Sequence, residues 1–128
     1  MDILSMDNVF DYAEPIWQRF SKPAYAGMLT GPDVVSVEAG SPAAKSLLRI
    51  QVRWSGARIA ESRFRAYGCP ATIAVGEWLA ENIRGKSAVE LEGIGAAEIR
   101  QALEIPEDRA HCALMGEDVI RQLLKKLS

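Results

Sequence analysis

The 128-residue chain is long enough to bury a hydrophobic core, so we predict one domain over residues 1–128. Its 15 basic and 17 acidic side chains give a formal net charge of −2, and we therefore expect no nucleic-acid partner. Charges interrupt every apolar stretch before the ~20 residues that a membrane span needs, so we expect no membrane partner. Two cysteines and no charged-then-apolar leader at Met1–Leu4 indicate the reducing cytoplasm.

The first part of the chain predicts an amphipathic helix followed by a short strand. Apolar side chains recur at helical spacing from Asn8 to Phe20, where Pro15 favours a late start or a kink. Lys22-Pro23 ends this segment. Val34 to Glu38 is a short run rich in strand-forming residues, and Gly40-Ser41-Pro42 is expected to break the chain after it.

Two longer strands follow. Apolar and polar side chains alternate from Leu48 to Trp54 and again from Ala60 to Ala66, which is the pattern of strands with one buried face. Ser55-Gly56 between them is typical of a hairpin turn. The sequence therefore predicts an antiparallel meander that ends at Tyr67.

After the meander the apolar period changes from 2 to 3.6 residues, which predicts helices. The first spans the region from Pro70 to Ile83, with Gly85 at its C-cap, and Ser87 to Glu90 has the spacing of a capping box. Another helix is predicted from Ala96 to Leu103, ended by Ile105-Pro106, and the last one starts near His111 and points Met115, Val119, Leu123 and Leu127 inward. We predict an α+β fold in which an N-terminal helix and further helices pack on one face of a three-stranded antiparallel sheet.

Both cysteines open predicted helices. The unpaired N–H groups at a helix N-terminus favour a thiolate over a thiol, so Cys69 and Cys112 are candidates for thiol chemistry. The histidine of the chain, His111, is next to Cys112. The alternative is that both cysteines are small buried apolar residues.

Three segments of the chain resemble the IscU-type (NifU N-terminal) iron–sulfur scaffold family. They are Tyr67-Gly68-Cys69-Pro70-Ala71-Thr72-Ile73-Ala74, Gly85-Lys86-Ser87, and the stretch from His111-Cys112 to Glu117-Asp118-Val119-Ile120. The similarity is collinear and runs from about Tyr12 to the last helix. It implies an IscU/NifU-N-like fold and a non-enzymatic role in iron–sulfur cluster assembly.

The resemblance implies a metal or cluster site with three cysteines, an aspartate and a histidine. Cys69, Cys112 and His111 match that pattern, and thiolate and imidazole groups suit iron and zinc. In the loop that carries the first of the three cysteines in the family, this chain has Ala44 instead. The implied ligand set of Cys69, His111 and Cys112 is therefore incomplete.

The same loop also has Lys45 in place of glycine and Ser46 in place of aspartate. An ammonium beside the site repels a dication and favours a thiolate, so Lys45 is a candidate for activating the thiols, although it could also point into solvent. We expect an iron–sulfur cluster or Zn²⁺ to bind weakly or not at all to the isolated chain. A partner or a second subunit that contributes the missing thiolate stays an open alternative.

The resemblance also implies partners. A cysteine desulfurase is expected to donate sulfur as a persulfide, with Cys112 as the acceptor and His111 holding a proton or orienting the thiol, unless His111 is only structural. The segment from Ile105 to Arg109 matches the family's chaperone-recognition segment but keeps one proline and adds two acidic residues, which argues against an Hsp70-type partner.

Two functions follow from these considerations. The first is a scaffold-like protein that accepts sulfur and binds metal weakly, and the second is a non-assembling paralogue that acts as a binding or regulatory module. The aromatic residues Trp54, Tyr67 and Trp78 are predicted to lie in the core.

Overall fold

The computed structural model describes residues 12–127. In chain order the elements are helix α1 (Glu14–Ser21), strands β1 (Val34–Ser41), β2 (Ser46–Ser55) and β3 (Arg58–Tyr67), and helices α2 (Pro70–Ile83), α3 (Ala88–Leu91), α4 (Ala96–Leu103) and α5 (Ala110–Leu127). Short 3₁₀ turns span Pro42–Ala44 and Glu107–Arg109. None of the helices in residues 12–127 is both long and apolar enough to cross a membrane. The predicted α+β fold with a three-stranded antiparallel sheet is confirmed.

Helix α1 starts late, as Pro15 indicated. Proline in the first turn loses no hydrogen bond, and the helix begins at Glu14 and ends at Ser21, before Lys22-Pro23. The part of the prediction that falls on Asn8 to Asp11 lies outside the described residues. Helix α1 packs against α2, where Arg19 Nε lies 3.0 Å from Glu81 Oε2.

The three strands pair in the order β1-β2-β3, so β2 has a neighbouring strand on both sides. Ile50, for example, lies opposite Val37 on β1 and Phe64 on β3. The break predicted over Gly40-Ser41-Pro42 falls at the last of these residues. Gly40 and Ser41 still pair with β2, and the chain leaves the sheet only at Pro42, which has no N–H to continue the ladder.

Helices α2 and α5 cover one face of the sheet and enclose the core. Three of the four inward side chains predicted for α5, Met115, Val119 and Leu123, are buried, and the side chain of Leu127 lies outside the described part of the chain. Helix α2 approaches β3 closely at Gly76, where an added Cβ would lie 2.3 Å from Cδ2 of the Phe64 ring. Other large side chains that are fully buried include Ile16, Leu48, Ile59, Leu79, Ile83, Leu91, Ile99, Leu103 and Ile120.

The three aromatic residues predicted to lie in the core differ in their burial. Trp78 is buried and Trp54 packs partly buried against the core. The placement of Tyr67 in the core is wrong, because its side chain is 69% exposed. It is the last residue of β3 and lies opposite the exposed Leu47, on the side of the sheet away from the helices.

Connecting segments and one side chain pair with the outer edges of the sheet. Near the middle of β3, the Phe64 N–H donates to Tyr25 O (3.0 Å), and the Gly27 N–H donates to Phe64 O (2.9 Å). Nearer its start, the Ile59 N–H donates to the Lys86 carbonyl (3.0 Å). At the other edge, on β1, Gln122 of α5 donates to the Glu38 carbonyl (2.7 Å).

The turn after α2 follows the sequence signals. Gly85 adopts a φ of +80° just after the C-cap Arg84, a conformation that favours glycine. The predicted capping box is confirmed: the Glu90 N–H donates to Ser87 Oγ (3.4 Å), and the Ser87 N–H donates to Glu90 Oε1 (3.1 Å). The C-terminal end of α2 is therefore followed by a defined turn, and its N-terminal end carries Cys69.

Candidate functional site

The two cysteines come together at the N-termini of two helices. Cys69 is the N-cap of α2, and Cys112 lies in the first turn of α5. Their Sγ atoms are 3.9 Å apart, and both thiols are free. Cys69 is half-buried, whereas Cys112 is only 1% exposed. The two thiols that the resemblance implies as ligands therefore lie at one place.

Two further polar side chains contact the thiols. Thr72 is buried, and its Oγ1 lies 3.6 Å from Cys69 Sγ and 3.4 Å from Cys112 Sγ. His111 Nε2 lies 3.5 Å from Cys112 Sγ. Sequence reasoning did not single out Thr72 as a site residue. Its position three residues after Cys69, on the same helix face, is the signal that was available.

The loop in which Ala44, Lys45 and Ser46 replace the residues of the family pattern lies near the thiols. Ser46 is buried, and an added Cβ on Gly68 would come within 2.9 Å of Ser46 Oγ. The loop therefore packs against the residue that precedes Cys69. Lys45 adopts a left-handed conformation, with a φ of 54°, and its side chain is exposed.

Cys69 is the more readily ionised thiol of the pair. The Cys112 thiol donates a hydrogen bond to Cys69, and the backbone N–H groups of Thr72 and Ala71 donate as well, so the pKa of Cys69 lies well below that of an ordinary thiol despite partial burial. The same sulfur–sulfur hydrogen bond and burial raise the pKa of Cys112. Cys112, the sulfur acceptor that the resemblance implies, is therefore the harder thiol of the two to ionise in this geometry.

The cation that acts on both thiols is Arg109. The charge of Cys69 raises the pKa of Arg109, which also hydrogen-bonds with Tyr12, and the guanidinium opposes the upward shift of the Cys112 pKa. The sequence analysis assigned the role of the activating cation to Lys45. It considered Arg109 only as the last residue of the segment that matches the chaperone-recognition segment. The available signal was a basic residue two positions before His111.

The side chains present do not make a complete metal site. Among residues 12–127, no three His, Cys, Asp or Glu side chains form a group that could hold a metal ion. Cys69, Cys112 and His111 offer two sulfur atoms and one nitrogen, whereas zinc and iron–sulfur sites use four ligands. A complete zinc or cluster site therefore does not fit these residues alone.

The fold and the paired thiols define the class of protein. An antiparallel three-stranded sheet is covered by helices, two of which carry neighbouring cysteines at their N-terminal ends. A model of the NifU-like N-terminal domain matches residues 11–128. The chain belongs to this family.

Curated relatives agree with this assignment. The chain is 31% identical over 113 residues to the iron–sulfur cluster assembly scaffold protein IscU of Escherichia coli (strain K12), a match that covers 86% of this chain and 88% of the relative. It is 30% identical over 117 residues to iron–sulfur cluster assembly protein 2 of Arabidopsis thaliana, covering 89% and 72%. The E. coli relative is named a scaffold protein.

Two solved structures share the fold. A putative iron–sulfur cluster assembly scaffold protein for the SUF system from Fervidobacterium islandicum AW-1 superposes with a TM-score of 0.72 at 17% identity, covering 88% of this chain and 96% of its own. The N-terminal part of a NifU-like protein from Brucella abortus gives a TM-score of 0.60 at 20% identity, covering 94% and 83%.

The lowered pKa of Cys69 predicts an unusual pH dependence of alkylation. Because its thiolate persists as the pH falls, the rate constant for iodoacetamide at Cys69 should change little between about pH 8 and pH 6, whereas an ordinary thiol loses about tenfold of its thiolate per pH unit below its pKa. Cys112 should react more slowly because it is buried and its pKa is raised. Peptide mass spectrometry after timed quenching measures both rates.

Two variants test the cause of this behaviour. Cys112→Ala removes the hydrogen bond to Cys69 and should restore a steeper pH dependence, whereas Cys112→Ser keeps a donor and should leave the profile flatter. A tenfold loss of rate per pH unit at Cys69 in the unmodified protein, as for an ordinary thiol, would contradict the assignment.

Proposed function

We propose that this protein is a scaffold-like component of iron–sulfur cluster assembly that accepts sulfur from a cysteine desulfurase and binds iron, zinc or a cluster weakly. The observation that carries this proposal is the pair of free thiols, 3.9 Å apart, in a member of the NifU-like N-terminal domain family. The role is non-enzymatic and is proposed for the cytoplasm.

Sulfur acceptance needs a nucleophilic thiolate that a donor protein can reach. The thiolate attacks the outer sulfur of the donor's persulfide, the donor's S–S bond breaks, and its electron pair stays on the donor cysteine. Cys69 combines partial exposure with a lowered pKa, so we propose that sulfur first bonds there. Cys112, the acceptor predicted from the resemblance, is nearly inaccessible in this conformation and stays the alternative.

Weak metal binding is supported by charge as well as by ligand count. Arg109 acts electrostatically on Cys69, where an incoming dication would have to bind. A guanidinium keeps its proton and its positive charge at any physiological pH, so it repels the metal ion. The same feature favours the second function, a non-assembling module that binds or regulates the machinery without holding a cluster.

Single-cysteine variants test sulfur acceptance and prevent any reaction between the two thiols. Each purified variant is incubated with a cysteine desulfurase and cysteine, alkylated, and mapped by mass spectrometry. Cys112→Ser, which keeps Cys69, should gain one sulfur atom at Cys69. Cys69→Ser, which keeps Cys112, should gain sulfur at least roughly tenfold more slowly, because its thiol is buried.

The outcomes separate the proposals. Faster loading of Cys112 than of Cys69 would contradict entry at Cys69 and favour the acceptor predicted from the resemblance. No added sulfur on either variant, while the unmodified protein still co-purifies with the desulfurase, would contradict sulfur acceptance and support the binding module. The variant without either cysteine is the control for non-specific sulfur.

A further inference from the structure

We propose that Cys112 resolves a persulfide formed on Cys69, releasing the extra sulfur as sulfide and leaving a Cys69–Cys112 disulfide. The inference rests on the proposed acceptance of sulfur at Cys69. It gives the pair a chemical activity, reductive release of sulfide, beyond carrying sulfur.

The positions of the two sulfur atoms suit this reaction. They lie 3.9 Å apart, so the resolving sulfur is already in contact with the sulfur it would attack. Cys69 is partly accessible to a donor, whereas Cys112 is only 1% exposed. The sulfur atom next to Cys112 Sγ is that of Cys69. An intramolecular partner held at contact distance reacts far faster than a free thiol in solution. The burial that makes Cys112 a poor first acceptor therefore suits it to a second step.

The step balances without an external electron donor. The Cys112 sulfur attacks Cys69 Sγ, the bond between Cys69 Sγ and the outer sulfur breaks, and the electron pair of that bond stays on the outer sulfur. The proton of the Cys112 thiol leaves with this sulfur, so the product is hydrosulfide. The outer sulfur is reduced by two electrons, and the two cysteines are oxidised to a disulfide.

Neighbouring side chains hold the reacting atoms. Thr72 Oγ1 lies within 3.6 Å of both sulfur atoms and restricts how far they separate. His111 Nε2 lies 3.5 Å from Cys112 Sγ, within reach of the proton that leaves during the attack. These two side chains are positioning residues for the step, because neither one bonds to the transferred sulfur.

The proposed reaction needs one reaction that supplies the persulfide and another that reduces the disulfide. A protein persulfide supplies the sulfur, and a dithiol reductant must reduce the disulfide before a second turnover. The sulfide released would serve an iron-containing acceptor elsewhere. The activity therefore does not require this chain to hold the metal.

The experiment measures sulfide and disulfide together, without added reductant and under inert gas. The unmodified full chain is given sulfur in two arms, one from a desulfurase with limiting cysteine and one from inorganic polysulfide, which bypasses the desulfurase. We expect stoichiometric sulfide and a Cys69–Cys112 disulfide by non-reducing peptide mass spectrometry. Cys112→Ser should keep a persulfide on Cys69 and release sulfide at least roughly tenfold more slowly. Cys112→Ala is a second variant, and circular dichroism checks that both fold.

The results distinguish this inference from the proposed function. A persulfide that persists on Cys69 of the unmodified protein as long as in Cys112→Ser would overturn the inference and leave sulfur acceptance standing. Sulfide and disulfide with polysulfide, but no loading of any variant by the desulfurase, would overturn the proposed donor and support the inference. A disulfide that forms without sulfide in either arm would also overturn it.

Discussion

The triple substitution Ala44→Cys, Lys45→Gly and Ser46→Asp is expected to tighten zinc binding by at least roughly a hundredfold, because it adds a thiolate and a carboxylate to an incomplete set of ligands. Ser46 of this loop packs against Gly68, next to Cys69, so the carboxylate added at position 46 arises close to the existing thiols. Glycine also suits position 45, where φ is 54°. Competition with a chromophoric chelator measures the affinity.

Single substitutions show which change matters. Lys45→Gly removes a cation without adding a ligand and should change zinc affinity only slightly, because Lys45 is exposed. Ala44→Cys should recover most of the gain. Ser46→Asp places a larger group against Gly68 and should cost some stability, since Ser46 is buried there. Tight stoichiometric zinc binding by the unmodified protein would contradict the expectation of weak binding.

The substitution Gly76→Ala should destabilise the protein by about 3 kcal/mol, measured by urea unfolding. The added Cβ would lie 2.3 Å from Cδ2 of Phe64 and within 2.9 Å of two more ring atoms, so α2 and β3 must move apart. Replacing glycine by alanine inside a helix normally stabilises it by roughly 0.5–1 kcal/mol, and the clash outweighs this gain.

A matched glycine on another helix provides the control. Gly116→Ala on α5 meets the methyl groups Ile99 Cδ1 and Val75 Cγ1, each at 2.9 Å, so its cost should be smaller. Phe64→Leu in the Gly76→Ala background should recover part of the lost stability by removing ring atoms. Equal or greater stability of Gly76→Ala compared with the unmodified protein would contradict the packing described for α2 and β3.

The fold could be predicted from the sequence wherever the local sequence signals and the tertiary packing agree. The alternation from Leu48 to Trp54 matches a strand that has one face on the core, and the Ser87 to Glu90 pattern is satisfied by its own backbone. The differences from the predictions occur at strand ends. Tyr67 directly follows the inward position Ala66 and therefore lies on the outward face of β3, which no helix covers, and Gly40 stays paired because the turn begins only at Pro42.

The candidate site was only partly accessible for a physical reason. The sequence places each cysteine at a helix start, and from that alone both thiols should ionise more easily. Which thiol ionises more readily depends on the 3.9 Å distance between them and on their unequal burial, and both are properties of the folded chain. The same is true of Arg109 and Thr72, whose effects on the thiols arise from the approach of α2 and α5.

The pairing at the outer edges of the sheet has a consequence for solubility. An edge strand with free N–H and C=O groups is a template for strand addition by another molecule, which leads to aggregation. On β3, the backbone groups of Phe64 and Ile59 are already bonded to connecting segments, and on β1 the Glu38 carbonyl is bonded to Gln122. A neighbouring chain therefore cannot add a continuous strand to β3 without displacing native hydrogen bonds, and truncation of the Tyr25–Gly27 segment should make the protein prone to form β-rich aggregates.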